Sequence, residues 1–146
     1  MRPVVGAHQA IHITTRVVAA VGSLRQPPAR RAIERALHTS LARSDFRIVH
    51  VGTRGTQVEL IVEAHDRYAL ARGMQGFQVS AARYLNAAKA RRGTVFPDRY
   101  RARVLGSRAA VRLALGRLRD ARPWRPASPE TPVLRGSVGR GSVRRS

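Results

Sequence analysis

The sequence predicts an α+β fold with elements in the order β-α-β-β-α-β-α, followed by a basic tail. Three observations predict it. Short β-rich runs alternate apolar and polar residues, two long stretches place apolar residues three and four apart, and the composition shifts after residue 121 to Pro, Gly, Ser and Arg. A chain of 146 residues with 43% hydrophobic content has the length and the apolar material for one folded domain. The expected division is a folded domain over residues 1–121 and a disordered tail over 122–146.

The elements follow in order. From Ala10 to Val18, Ile11, Ile13 and Val17 point one way and His12, Thr14 and Arg16 the other, as in a half-buried strand. After a loop from Gly22 to Pro28, a helix runs to about Arg43, with Ala29, Ile33, Ala36, Leu37 and Leu41 on its apolar face and Pro28 in its first turn. Phe46–Val51 and Val58–Val62 read as strands joined by a turn over Gly52–Thr56. In the second of them Val58, Leu60 and Val62 share one face, Gln57, Glu59 and Ile61 the other. Asp66 caps a long helix ending near Ala90, with Leu70, Met74, Phe77, Ala81, Leu85 and Ala88 inward. Gly73 and Gly76 cost this helix stability and are expected where it packs closely on the sheet. Thr94–Phe96 and Tyr100–Leu105 are β-like. Ser107 caps a last helix to about Ala121, with Val111, Ala114, Leu115 and Leu118 inward. The order is that of the ferredoxin-like split βαβ sandwich with an added C-terminal helix. Trp124, just beyond, is expected to pack rather than to stack on a base.

Charge narrows the partner. Net charge is +20, from 28 basic residues against 8 acidic, and Lys89 is the only lysine. A GC-rich coding sequence favours arginine over lysine but does not create such an excess of bases over acids. Arginine binds phosphate in a bidentate manner and stacks on bases. Nucleic acid is the expected partner, ahead of a membrane surface. There is no cysteine, so disulfides and thiolate-bound metals are excluded. No apolar run has the length of a membrane span, and the first residues lack a secretory apolar stretch, so a cytoplasmic location is expected.

Several stretches resemble one family in their order and spacing: Val62-Glu63-Ala64, Leu70-Ala71-Arg72-Gly73-Met74-Gln75-Gly76, Leu85-Asn86, and Arg92-Gly93-Thr94-Val95-Phe96-Pro97-Asp98-Arg99-Tyr100. From about His12 to Ala121 the chain is similar to the REP-associated tyrosine transposases, the insertion-sequence-200-like HUH single-tyrosine type. The resemblance implies the ferredoxin-like fold, binding of single-stranded or hairpin DNA, and DNA transposition. It further implies Mg²⁺ or Mn²⁺ held by a His-hydrophobic-His pair on the open sheet face, and a tyrosine on the C-terminal helix that attacks the phosphate.

The chain departs from that pattern at each catalytic position. The stretch aligned with the histidine pair is Thr56-Gln57-Val58-Glu59-Leu60, which places Gln57 and Glu59 where the histidines would be. The tyrosine position falls near Arg117, and no tyrosine lies from Ser107 onward. A guanidinium stays protonated and is no nucleophile. Strand cleavage is therefore expected to be lost. His12, Gln57 and Glu59 share a face on neighbouring strands and form a weak candidate site for Mg²⁺ or Mn²⁺, outweighed by a plain polar patch, because one carboxylate is a poor basis for a divalent site. Tyr84 is expected in the core and Tyr68 in water. Tyr100 is expected to be structural or to contact DNA. His50 and His65 are expected at the surface or a strand edge. The DNA-binding candidates are Arg99, Arg101 and Arg103, alternating through the last strand, and Arg108, Arg112 and Arg117 on the last helix, with Arg119 and Arg122 beyond them. Arg30, Arg31, Arg35 and Arg43 mark the polar side of the first helix. The alternatives are a metal-dependent nuclease with an altered site, and an RNA-binding module, the latter disfavoured by 5% aromatic content. A homodimer is open.

Overall fold

Alternation along the first strand divides the sheet into two unlike faces. The computed structural model describes residues 9–118 and 122–124. Strands β1 (Ala10–Arg16), β2 (Phe46–Arg54), β3 (Gln57–Ala64) and β4 (Arg101–Leu105) and helices α1 (Pro27–Thr39), α2 (Arg67–Ala88) and α3 (Arg108–Arg117) follow in the order β1-α1-β2-β3-α2-β4-α3, and a two-residue strand β5 (Arg122–Pro123) comes last. The sheet is antiparallel, in the order β4-β1-β3-β2-β5. Its first four strands have the ferredoxin-like order, with β1 and β3 side by side at the centre.

On the inner face Ile11 lies opposite Val62 and Val104, and Ile13 opposite Leu60 and Ala102. Helices α1 and α2 cover this face. Ile33, Ala36 and Leu37 of α1 and Met74, Phe77, Ala81 and Leu85 of α2 are buried with Ile11, Ile13 and Leu60 in one core. Each large apolar side chain taken from water here stabilises the fold by about 1.5–3 kcal/mol. Asp66 caps α2 as expected, accepting from the Ala69 N–H at 2.8 Å. Ser107 caps α3, accepting from the Ala110 N–H at 3.1 Å.

Several local expectations are corrected. Helix α1 stops at Thr39 and tightens into a 3₁₀ turn over Ser40–Ala42, which turns Leu41 outward to 45% exposure. Strands β2 and β3 extend to Arg54 and Gln57, so the turn is only Gly55-Thr56. Gly55 has φ 59°, the left-handed first position that a type II′ hairpin turn requires. Ala88 is exposed. Gly73 packs against Phe46, as expected of a close approach, whereas Gly76 is exposed and a Cβ there would meet nothing. Thr94–Phe96 is not a strand. Val95 is buried by a loop whose carbonyl at Val95 accepts from the Val18 N–H at 2.8 Å. Helix α3 ends at Arg117, and residues 119–121, where it was expected to continue, lie outside the described residues, as does Arg119.

Residues 122–124 add to the sheet. His50 and Val51 of β2 pair with Pro123 and Arg122 of β5, so Arg122 lies on a strand rather than on the last helix. The Trp124 N–H donates to the Val49 carbonyl at 2.9 Å. Trp124 is 7% exposed and meets the His38 ring edge-on at 5.4 Å, so it packs, as the sequence predicts. The rest of the expected tail, residues 125–146, lies outside the described residues.

Candidate functional site

The outer sheet face is covered at one end only. Ala114 and Leu118, at the end of α3, pack with Ile61 and Leu105 in a small second core, joined by Ala10, Ala110, Val111 and Leu115. Beyond that cover the strand register lays out rows of polar side chains. Arg103, His12, Ile61 and His50 form one row, and Arg101, Thr14, Glu59 and Gly52 the next. Arg16, Gln57 and Arg54 form the last. The sequence places His12, Thr14, Gln57 and Glu59 on one face, and the structure does the same.

Glu59 sits at the centre of this face and is only 6% exposed. Its Oε1 lies 3.0 Å from the His12 Nε2, and its Oε2 3.8 Å from an Arg54 guanidinium nitrogen. Gly52, opposite Glu59 on β2, contributes no side chain, and Arg54 reaches over from two residues on. A carboxylate this far from water is tolerated because cationic and hydrogen-bonding partners replace its hydration. Arg54 is the functional neighbour that sequence reasoning missed. Placing the turn at Gly52–Thr56 put Arg54 in a loop, whereas a two-residue turn at Gly55-Thr56 puts it on the same face as Glu59.

This arrangement does not fit a divalent cation. Of the candidate trio, Glu59 meets His12, and Gln57 lies in register with two arginines, Arg16 and Arg54. A guanidinium already stands beside the one carboxylate, where a second positive charge would be opposed. Among the described residues no group of three or more His, Asp or Glu side chains could hold a metal.

The arginine candidates divide into two groups. Arg101 and Arg103 are exposed and stand opposite Thr14 and His12, at the edge of the open face. Arg99 is exposed just before β4, next to Asp98, whose carboxylate pairs with Arg16 at 3.4 Å. Arg108 and Arg112, one turn apart on α3, line a cavity of about 550 Å³ whose wall includes Ile61, Leu105, Val111 and His50. Arg117 is exposed at the end of the same helix. Tyr68 is exposed, Tyr84 and Tyr100 are half-buried against the main core, and His65 is exposed.

His50 is not a plain surface histidine. Its Nδ1 is buried and has no hydrogen-bond partner among the described residues. Burial holds the imidazole below the ordinary histidine value. On acidification the unfolded chain therefore takes up this proton first, from about pH 6.5 downward. Stability is lost from there down to the lowered value of the folded state and no further below it. His50→Leu is expected to flatten that part of the stability profile, measured by urea unfolding at several pH values. An unchanged slope between wild type and variant would show that His50 carries none of it.

No family model and no curated protein matches the sequence. Among solved structures, the chain superposes on the crystal structure of a candidate transposase from Deinococcus radiodurans R1, with TM-score 0.55. The match covers 77% of this chain and 92% of that one, at 12% sequence identity. The chain has a transposase-like α+β fold. At that identity the likeness is one of fold, and the residues on this transposase-like sheet must be argued from their own geometry. No helix among the described residues is long and apolar enough to cross a membrane.

Proposed function

We propose that the chain is a cytoplasmic DNA-binding relative of the REP-associated tyrosine transposases that grips single-stranded or hairpin DNA on the open part of its sheet face without cleaving it. The observation that carries this reading is the state of Glu59. The one acid at the centre of the face is consumed by His12 and Arg54, which leaves Arg101 and Arg103 as exposed cations beside it. Phosphate oxygens are the natural partners of such a surface. The same pairing removes the carboxylate from metal binding, and Arg117 supplies no nucleophile.

The test mixes purified protein with end-labelled single-stranded and hairpin DNA, with and without Mg²⁺ or Mn²⁺, at two salt concentrations. Salt-sensitive retardation with no covalent adduct on a denaturing gel supports binding alone. A metal-dependent adduct overturns the loss of cleavage, and mapping the attached residue names the nucleophile.

Glu59→Gln separates the two chemistries further. Glu59 opposes phosphate only with the charge that His12 and Arg54 leave unbalanced, so the variant is expected to bind DNA more tightly by less than about fivefold, the factor for two bare unit charges about 4 Å apart in water. It is also expected to lose about 1–3 kcal/mol of stability, because the nearly buried carboxylate gives up its 3.0 Å contact with His12, while the pairing with half-exposed Arg54 adds little. Fluorescence anisotropy and urea unfolding measure the two effects. Weaker DNA binding in a folded variant would mean that Glu59 takes part in recognition rather than opposing it.

A further inference from the structure

We infer that the protein has a second nucleic-acid site on the helical side, away from the sheet face. The inference rests on the nucleic-acid reading above but concerns residues that reading does not use.

The site is an open cavity of about 580 Å³ where the end of α2 meets α1 and the loop that follows α2. Four arginines line it: Arg35 from α1, Arg83 from α2, and Arg91 and Arg92 from the loop. No acid is among the lining residues, and Glu34, next to Arg35 in sequence, does not line it. Four like charges around one concavity repel one another unless an anion sits among them.

The loop is built to hold them there. Ala90 takes a left-handed φ of 51°, which turns the chain back beside the last turns of α2. Asn86 then clamps the returning strand. Its Nδ2 donates to the Gly93 carbonyl at 3.0 Å, and its Oδ1 accepts from Arg91 at 2.6 Å. Arg91 donates also to the Thr94 carbonyl at 3.3 Å. Across the cavity Arg35 lies over the Tyr84 ring at 4.3 Å, and the Tyr84 hydroxyl meets the Thr39 hydroxyl at 3.3 Å. Two of the four guanidinium groups are thus fixed before any ligand arrives, which lowers the entropy lost on binding. Arg83 and Arg92 stay exposed and free to close on a phosphate.

The ligand class is the sugar-phosphate backbone of single-stranded nucleic acid. The cavity is open rather than enclosed, which suits a strand that passes through it. Its cations come from three separate segments, which suits successive phosphates better than one small anion. The sheet site and this site lie on opposite sides of the sheet, so one strand reaches both only by wrapping the domain.

Arg83→Gln with Arg92→Gln tests the site without touching the clamp on Arg91. Arg67→Gln with Arg72→Gln, in the first half of α2, removes the same charge elsewhere. Calorimetric titration with a single-stranded oligonucleotide of about six residues is expected to give two sites in wild type and in the Arg67/Arg72 control. One site is expected in the Arg83/Arg92 variant. With about thirty residues, the Arg83/Arg92 variant is expected to lose about 1.4 from the slope of log affinity against log salt, relative to the control. An Arg83/Arg92 variant that matches the control overturns the second site and leaves the sheet reading standing. Loss of binding in that variant, with none in the sheet-face variant Arg101→Gln/Arg103→Gln, overturns the sheet reading instead. A wild type that binds neither oligonucleotide overturns both.

Discussion

A chain carrying Arg101→Gln and Arg103→Gln together is expected to bind single-stranded DNA about 25-fold more weakly at about 0.1 M salt. Both side chains are exposed on β4 and stand in register with Thr14 and His12 on the open face. Each phosphate neutralised on a single strand releases about 0.7 of a counterion, so two lost contacts lower the salt slope by about 1.4. At about 0.1 M that slope converts to about 1.4 log units of affinity, which is the 25-fold. The affinity is read by anisotropy across a salt series. A loss of affinity with an unchanged slope would mean that these arginines do not contact phosphate. Stability is expected to be unchanged, since neither residue is buried or belongs to an ion pair described above.

Gly73→Ala is expected to destabilise the fold by about 1–3 kcal/mol, the usual cost of overpacking. A Cβ at Gly73 would come within 2.2 Å of Phe46 Cγ, and Phe46 is 3% exposed in the main core, so the ring has nowhere cheap to go. Alanine's better helix propensity, worth about 1 kcal/mol, offsets only part of this. Gly76, one turn on, is the internal control. It is exposed and a Cβ there meets nothing, so Gly76→Ala is expected to stabilise by about 0.5–1 kcal/mol. Thermal and urea unfolding of the two variants should move in opposite directions. If both stabilise, the α2–β2 approach is looser than the structure has it.

The same glycines show how far the sequence could be read. Their presence in a helix signals a close approach, but which of the two makes it depends on which side faces the sheet, and that is settled by packing with Phe46 on another element. Period-two alternation placed His12, Thr14, Gln57 and Glu59 on one face correctly, because side-chain direction in a strand is local. Arg54 was hidden by a turn set too wide, since Gly52 and Gly55 both offer the residue a hairpin turn favours, and only the strand pairing shows that Gly55 alone turns the chain. Val95 looked like a strand residue because β propensity measures half-buried surroundings, and a loop folded onto the core supplies those equally well. The buried Nδ1 of His50 and the cavity of Arg35, Arg83, Arg91 and Arg92 were illegible for the same reason: each joins segments far apart in sequence.

Trp124 and the two residues before it have a further consequence. A β-sheet ends in strands whose unpaired backbone groups invite a neighbour's strand to dock, and natural proteins blunt such borders. Here one border is β4, whose outward arginines repel another copy, and the other is β2, sealed where β5 pairs with it and where Val49 accepts from Trp124. The short segment is thus a selvedge that keeps the sheet from being extended by a second molecule. A chain shortened to end at residue 118 would bare β2 beside an uncovered His38, and its self-association by strand docking should appear in solution as species larger than the full-length chain forms.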